Sequence, residues 1–278
     1  MTTDLRVMYQ VELLRDLDRP ELRPYRTLRW DATHRALNLF VAEGEKVVRR
    51  LLNSNLEIVS MLLPPRWLDI LAPALERRPE RIRVFVAEKS LLETLTGFSM
   101  YQGLLAVARI PPPRSLEEWL QHTARPRLWV AMEGLSNAEN VGVLVRNSAA
   151  FGVQGIVVGE TCSSPWLRRA VRTSMGTVFQ MPVVEAVRLT YSLQLLQANG
   201  VRCIAAHPRP EAIPLSRADL RGDCCLVFGS EGEGLSEAVV RICDQIVAIP
   251  MSPEVDSLNV GSATAVFLYE ACRQRGRI

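Results

Sequence analysis

Three short segments in the second half of the chain combine glycines with polar side chains, the residue types that form ligand sites. Each follows an apolar run of the kind that forms a buried strand. They are SNAENVGVLVRN after LWVAMEGL, GSEGEGLS after CCLVF, and MSPEVDSLNVGS after QIVAIP. Because ligands bind beyond the carboxyl ends of the strands in open parallel sheets, we expect the three segments to meet at one site.

The segment GSEGEGLS is a glycine-rich loop that includes Gly229 and Gly232. Its spacing, G-x-x-G-x-G, differs from the dinucleotide-binding pattern G-x-G-x-x-G. Glu231 and Glu233 would also repel a pyrophosphate seated on backbone amides. The loop therefore suits a ligand without phosphate, and S-adenosylmethionine, which carries a sulfonium cation, meets that requirement. An ordinary glycine-rich turn before a helix that begins at Ser236 explains the same residues.

In the third segment, Ser257 and Asn259 precede a helix that is apolar nearly all round. Such a helix must be buried on more than one side, either inside the protomer or against a second subunit. Ser257 or Asn259 could simply cap this helix. Arg146 and Asn147, on the helix of the first segment, could likewise face solvent. The residues alone leave these alternatives open.

The composition argues against several classes of protein. The six cysteines include no C-x-x-C pair and the three histidines are far apart, so zinc-ligand spacing is missing and we expect no metal. A chain of 278 residues does not need disulfides, and buried thiols are the better interpretation. No apolar run approaches the roughly 20 residues of a membrane span. The N-terminus lacks the features of a secretory signal, so a cytoplasmic location is expected.

The charge pattern gives a weak indication of nucleic-acid binding. The net charge is only +3, but 31 of the 33 basic residues are arginines, whose planar guanidinium matches phosphate. Residues 1–125 carry the whole excess of +3, whereas residues 126–278 are balanced. Contact with a nucleic acid should therefore depend on the first half. A solvated surface of mixed charge fits these numbers equally well.

The hydrophobic pattern predicts two α/β domains. Residues 27–110 alternate short β-branched runs with amphipathic helices, and 127–278 repeat that alternation. Strands separated by helices indicate a parallel sheet covered on both faces. Between the domains, 111–126 form a proline-initiated linker with a short helix, and 1–26 are an extension belonging to neither core. The predicted strands are at 39–42, 56–63, 81–87, 104–110, 128–133, 155–159, 201–206, 224–229 and 245–250.

Together the three segments resemble the ordered motifs of the SpoU (TrmH-type) RNA 2′-O-ribose methyltransferases of the SPOUT superfamily. Asn140, Gly142 and Arg146 match the motif N-x-G-x-x-x-R, FGSEGEGLS the second motif, and IPM…SLNVGSA…LYE the third. Residues 37–110 resemble the substrate-binding domain found at the N-terminus of this family. The resemblance covers nearly the whole chain after residue 26.

The resemblance implies a fold, a cofactor and an assembly. The fold would be a SPOUT-type α/β parallel sheet with a C-terminal trefoil knot, a rare exception to unknotted topology, plus a smaller N-terminal α/β domain that binds RNA. S-adenosylmethionine would be held, largely by backbone, at Gly229, Ile249 and Leu258, with Gly232 and Asn259 beside it. The enzyme would be a homodimer whose active site draws on both subunits.

The resemblance also implies the catalytic residues, namely Asn140, Arg146, Glu231, Ser257 and Asn259. Arg146 and Asn140 would act at the reacting centre. Because a guanidinium is hard to deprotonate, Arg146 is expected to bind the neighbouring phosphate and orient the ribose hydroxyl. The other three would order the loops, the cofactor and the ribose.

Three departures from the family pattern stand close to these motifs. The usual D-P-x-N is Asn-Ala-Glu-Asn at 137–140, the usual Thr after the motif arginine is Asn147, and the frequent Ser after SLNV is Gly261. No core motif residue is lost, and the departures bear mainly on the choice of substrate.

The function predicted from the sequence is transfer of a methyl group from S-adenosylmethionine to a ribose 2′-hydroxyl of structured rRNA or tRNA. An alternative is a catalytically weakened RNA-binding protein that keeps the methyltransferase fold. A nucleotide-dependent oxidoreductase is disfavoured because G-x-G-x-x-G is missing.

Overall fold

The computed structural model describes residues 9–26, 34, 36–97, 102–255 and 257–278. The chain forms two compact units. The first comprises residues 1–111 and 166–179, and the second comprises residues 112–165 and 180–278. Residues 166–179 thus pack with the first unit although they lie in the second half of the sequence.

The described helices and strands follow the alternation expected from the sequence. In chain order they are β1 (Tyr9–Leu13), α1 (Arg23–Arg26), β2 (Leu39–Glu43), α2 (Glu45–Leu52), β3 (Ile58–Leu63), α3 (Pro65–Leu75), β4 (Ile82–Val86), α4 (Lys89–Thr96), β5 (Leu105–Arg109), α5 (Leu116–His122), β6 (Leu128–Met132), α6 (Ala138–Ala150), β7 (Gly155–Val158), α7 (Arg168–Thr173), β8 (Val183–Glu185), α8 (Leu189–Ala198), β9 (Arg202–Ala206), β10 (Ile213–Pro214), β11 (Cys224–Phe228), α9 (Glu237–Ile242), β12 (Gln245–Ala248) and α10 (Val260–Gln274).

The first unit is built on a mixed sheet with the strand order β1-β4-β3-β5-β2. β5 runs antiparallel to both of its neighbours, whereas β1, β4 and β3 are mutually parallel. Apolar side chains of β2, β3, β4 and β5 are almost entirely buried and form the core of this unit with residues of α1 and α4.

The expectation that residues 1–26 belong to neither core is wrong for the part that the structure describes. β1 pairs with β4 over its full length. Leu22 and Tyr25 are 0% exposed and lie in the core of the first unit. This strand is hard to predict from sequence because β1 is an edge strand whose side chains are mostly exposed and do not alternate clearly between apolar and polar.

The second unit is built on a sheet in which every described pair of strands is parallel, in the order β10-β12-β9-β11-β6-β7-β8. Every residue of β6 and β11 is buried. Helices α5, α8 and α9 cover one face, and α10 packs on the other, where Phe267 meets Phe228 edge to face. The prediction of a parallel sheet buried on both faces is therefore confirmed.

The predicted linker at 111–126 contributes to the core of the second unit. Its helix α5 begins with a capping box in which Ser115 and Glu118 exchange side-chain and backbone hydrogen bonds. Leu116 and Leu120 are buried against the sheet. This contribution to the core was not predicted, because a seven-residue helix with two core leucines shows little periodicity.

The final helix, α10, is buried on one side only. Thr264, Phe267, Leu268 and Ala271 face the interior, whereas other positions of the same helix face outward. The outward face carries Val266 and Tyr269, which are 42% and 53% exposed. One protomer therefore leaves an apolar stripe of this helix uncovered.

All six cysteines are free thiols, and four of them are buried. The described residues hold no group of histidine, cysteine and carboxylate side chains arranged to bind a metal ion. No helix within the described ranges combines the length and the apolar composition needed to span a membrane.

Candidate active site

A cavity of about 300 Å³ lies at the carboxyl ends of β9, β11 and β12 in the second unit. Its walls are the loop 229–234 after β11, the end of β12, the segment 257–260 that begins α10, and His207 after β9. Six of the residues predicted to form the site line this cavity, namely Gly229, Glu231, Gly232, Ile249, Ser257 and Leu258. Segments distant in sequence thus meet at the edge of the sheet where parallel-sheet ligands bind.

The cavity has an apolar floor and an acidic rim. Phe228, Val247 and Phe267 form the floor, and Glu231 and Glu233 stand on the loop above it. Among the described residues, those that line the cavity include no lysine or arginine. Such a wall suits a ligand that is mainly apolar and carries positive charge rather than phosphate.

His207 is the titratable ring in this wall. Its backbone N–H donates to Val247 O at 3.1 Å, which fixes the residue beside β12. Burial lowers the pKa of His207 below its ordinary value, and the nearby Arg209 lowers it further. The imidazole is therefore neutral at pH 7. His207 is not among the residues predicted to form the site, although its place directly after an apolar strand was a usable signal.

The loop after β11 needs glycine where its two ends touch. A Cβ atom on Gly229 would lie 2.1 Å from the carbonyl carbon of Gly234, so no side chain fits there. Ser230 and Gly234 exchange two backbone hydrogen bonds of 3.1 and 3.0 Å that close the loop. Glu231 and Gly232 are held at its tip, where the backbone is open to the cavity.

Glu133, at the end of β6, anchors this loop. Its carboxylate accepts hydrogen bonds from Ser236 N at 2.8 Å and from Ser236 Oγ at 2.7 Å. Ser236 Oγ in turn accepts from Val239 N at 3.3 Å and caps α9. Glu133 therefore ties the first motif region to the second. Glu133 is not among the residues predicted to form the site, although its place at the end of the apolar run LWVAME was a usable signal.

The three motifs are joined by one side chain, that of Asn259. Its Nδ2 donates to Asn140 Oδ1 at 3.4 Å and, more closely, to the carboxylate of Glu231. The same carboxylate lies 3.4 Å from Val260 N, at the positive end of the α10 dipole. Asn259 Oδ1 accepts from Gly261 N at 2.9 Å and caps the helix. Asn259 is thus both the helix cap and the link between motifs.

Arg146 stands apart from this network. Its side chain is exposed and makes no hydrogen bond or ion pair to any other residue that the structure describes. It follows Asn140 by six residues on α6, which places the two side chains on different faces of the helix. Asn147, seven residues after Asn140, shares its face and reaches α10 instead. One chain alone does not bring Arg146 and Asn140 together.

Comparisons with known proteins agree on one family. The model of the SpoU rRNA Methylase family matches residues 127–269. An uncharacterized tRNA/rRNA methyltransferase of Mycobacterium tuberculosis is 35% identical over 84% of this chain and 81% of its own length. A 23S rRNA (guanosine-2′-O-)-methyltransferase of Shewanella oneidensis is 33% identical over 68% of this chain and 78% of its own.

The fold is also shared with a solved structure. The crystal structure of an AdoMet-bound rRNA methyltransferase from Sinorhizobium meliloti aligns with a TM-score of 0.81 and 24% identity. The alignment covers 95% of this chain and 98% of the other. At 24% identity, this similarity supports a shared fold and no more.

Proposed function

The chain belongs to the SpoU rRNA methylase family, and from that premise we propose that it transfers a methyl group from S-adenosylmethionine to a ribose 2′-hydroxyl of structured rRNA or tRNA. The observation that carries the proposal is the network of Asn140, Asn259 and Glu231 beside the cavity. It supports the proposal because it holds amide groups that can orient a ribose next to a pocket suited to a cationic cofactor.

The cavity offers a place for the cofactor. Its volume of about 300 Å³, its apolar floor and its lack of lysine or arginine among the described lining residues fit a molecule with a positively charged sulfur. When bound, S-adenosylmethionine supplies a methyl group activated by that sulfur. The residues that we propose to hold it, mainly by backbone, are Gly229, Gly232, Ile249, Leu258 and Asn259.

The protein's task at the reacting centre is positioning. A ribose hydroxyl is a poor nucleophile and must lose its proton as it attacks, so orientation and proton removal share the work. The guanidinium of Arg146, free of acidic partners among the described residues, is available for the phosphate next to the target ribose. Asn140, held by Asn259, would orient the ribose, while Glu231 and Ser257 order the loops around it.

We include in the proposal a homodimer that completes this site. The uncovered stripe of α10 with Val266 and Tyr269 suits burial against a second copy. Arg146 points away from its own Asn140, which supports a site that takes Arg146 from the second copy. The trefoil knot expected from the family would involve the segments 229–236 and 249–259, and an rRNA or tRNA substrate accords with the cytoplasmic location expected from the sequence.

The test is methyl transfer in vitro. Purified protein would be incubated with methyl-labelled S-adenosylmethionine and either unmodified 23S rRNA or total tRNA, and the digested RNA examined by mass spectrometry. We expect a 2′-O-methyl nucleotide, and a loss of at least 100-fold in rate for Arg146→Ala, of the order found for groups that stabilise transition-state charge. Cofactor binding without transfer to any RNA would overturn the proposal, and RNA binding unchanged by Arg146→Ala would then favour the RNA-binding alternative.

A further inference from the structure

The first unit has a concentrated positive surface on α2 and α7, two helices that line one cavity. We call it the α2–α7 face and define it by five basic residues. On α2, Lys46, Arg49 and Arg50 stand three and four residues apart, and on α7, Arg169 and Arg172 stand three apart, so each set shares one side of its helix. All five side chains are exposed.

The position of α7 on this unit is fixed by buried contacts. Arg168 forms an ion pair with Glu43 at the end of β2, and both side chains are nearly buried. The ring of Phe40 lies 5.2 Å from that of Trp166 and 5.4 Å from that of Phe179, measured between centroids. These contacts flank α7 on both sides in sequence. The α2–α7 face is therefore a built surface rather than a chance approach of two flexible segments.

The acidic residues near the face are already engaged. Glu43 pairs with Arg168 and with Arg172, the latter at 3.3 Å. Glu45 pairs with Arg49 at 2.9 Å. Lys46, Arg50 and Arg169 have no carboxylate partner among the described residues, and the Arg50 side chain donates to the backbone oxygen of Met175 at 2.7 Å.

The charge of the face exceeds that of the whole chain. The five exposed basic residues and the buried Arg168 stand against Glu43 and Glu45, an excess of four positive charges, whereas the chain carries only +3. The rest of the molecule is therefore nearly balanced. A charge distribution of this kind draws an anionic partner to one surface.

A cavity opens in the face. It measures about 230 Å³ and is lined by Lys46 of α2 and Arg172 of α7. Glu43 and Glu45 also line it, and their carboxylates are paired with arginines. Two cations on either side of a concave, solvent-open site can neutralise a phosphate group that enters it.

We propose that the α2–α7 face binds the sugar-phosphate backbone of the RNA substrate. The substrate class rests on the proposed function, but the binding surface is a separate inference from charge and geometry. Arginine is suited to the task because its planar fork pairs with phosphate oxygens. Contacts to phosphates position an RNA without reading its sequence. The face would therefore recognise the backbone shape of a folded RNA, while the second unit selects the ribose. The segment 166–179 would thereby link the methyltransferase half of the sequence to RNA binding.

The experiment compares two double variants of the full chain. Lys46→Gln with Arg169→Gln removes two cations that have no side-chain partner among the described residues, which limits any effect on folding. The control, Arg15→Gln with Arg81→Gln, removes two exposed arginines of the same unit that lie away from the face: Arg15 follows β1, the edge strand farthest from β2, and the Arg81 side chain donates to Gln10 Oε1 on that same edge strand. Binding of labelled 23S rRNA transcript would be measured from 50 to 300 mM salt, together with the affinity for S-adenosylmethionine.

We expect the face variant to bind the transcript about tenfold more weakly at 0.15 M salt and to lower the slope of log affinity against log salt by about 1.5, which corresponds to two lost phosphate contacts. The control variant should match the wild type, and cofactor affinity should be unchanged in both. Equal RNA affinity and slope in the face variant, or equal losses in both variants, would overturn the proposal. Face-dependent RNA binding without methyl transfer would leave this inference standing while contradicting the proposed function.

Discussion

The side-chain amide of Asn147 donates a 2.7 Å hydrogen bond to the backbone oxygen of Gly261. These are two of the positions at which the chain departs from the family pattern, and they are in direct contact. Gly261 has no room for a side chain, because its Cβ would lie 2.5 Å from Val143 Cγ1. The pair therefore sets how closely α6 and α10 approach. The same two helices carry Asn140 and Asn259, so this spacing also sets the distance between the two motif asparagines.

Restoring the serine that is frequent in the family should harm this protein. Gly261→Ser would push Val143 and separate α6 from α10, at a cost of about 1–3 kcal/mol in the free energy of unfolding. We expect a lower rate of methyl transfer as well, because Asn259 moves away from Asn140. Adding Val143→Ala should recover part of both losses, since it removes the clashing methyl group.

Urea unfolding and transfer assays on the same preparations would check this prediction. Gly222→Ala is the matched control, because nothing lies within 4 Å of a Cβ at that glycine. Wild-type stability and rate in Gly261→Ser would show that the two helices can separate without consequence.

A second prediction isolates the linking role of Asn259 from its capping role. Asn259→Asp keeps a good helix cap, but it replaces the amide that donates to Glu231 with a second carboxylate. The like charges should repel, shift the loop that carries Glu231, and weaken S-adenosylmethionine binding about tenfold, equivalent to roughly 1.4 kcal/mol. Adding Glu231→Gln restores a donor opposite the new carboxylate and should recover much of the affinity.

Calorimetric titration of the two variants would measure this effect. The idea is contradicted if Asn259→Asp binds the cofactor as well as wild type, or if adding Glu231→Gln makes binding worse still.

Much of the second unit could be predicted from local sequence, and the reason is visible in particular strands. β6 and β11 are fully buried apolar runs, and each ends in a polar segment that marks the site. The first unit was harder where tertiary contacts decide the structure. β1 is defined by its pairing with β4, and α7 belongs to the first unit through the ion pair of Arg168 with Glu43, a partner 125 residues away. No local pattern carries that information.

The contacts within the site could not be predicted from local sequence either. The motif spacing pointed to Glu231 and Asn259, but not to the fact that they share a hydrogen bond. Glu133 and His207 were missed because a single polar residue at a strand end has many ordinary explanations. Their roles follow only from what the fold places opposite them, Ser236 in one case and the cavity in the other.

A third prediction concerns the anchor of the glycine-rich loop. In Glu133→Gln, one of the two accepting oxygens is replaced by an NH₂ group. The side chain then has a single oxygen to accept from the two Ser236 donors. We expect cofactor affinity to fall about fivefold, or roughly 1 kcal/mol, because a charge-assisted hydrogen bond is lost and the loop is less well held. RNA binding should be unaffected. Glu117→Gln on the exposed side of α5 serves as the control, and an unchanged dissociation constant in Glu133→Gln would sink the assignment.

The last prediction uses the neutral imidazole of His207 in the cavity wall. Burial and Arg209 lower the pKa of His207, while Glu211 and Glu237 oppose that shift more weakly, so the ring is neutral at pH 7 and gains its charge only as the pH falls below its lowered pKa. A proton there places positive charge in the same cavity as a cationic cofactor, with Glu231 and Glu233 on the rim compensating part of it. S-adenosylmethionine, which has one more positive charge than S-adenosylhomocysteine, should therefore lose affinity relative to it as the pH is lowered from 7.5 to 5.5, by about 1 kcal/mol or roughly fivefold. The direction of this change follows from the lowered pKa, because a neutral ring favours the bound cofactor above that pKa and the advantage disappears below it.

His207→Gln is the control for this prediction. In this variant the ratio of the affinity for S-adenosylmethionine to that for S-adenosylhomocysteine should stay constant across this pH range. A ratio that falls just as steeply in the variant would assign the titration to another group.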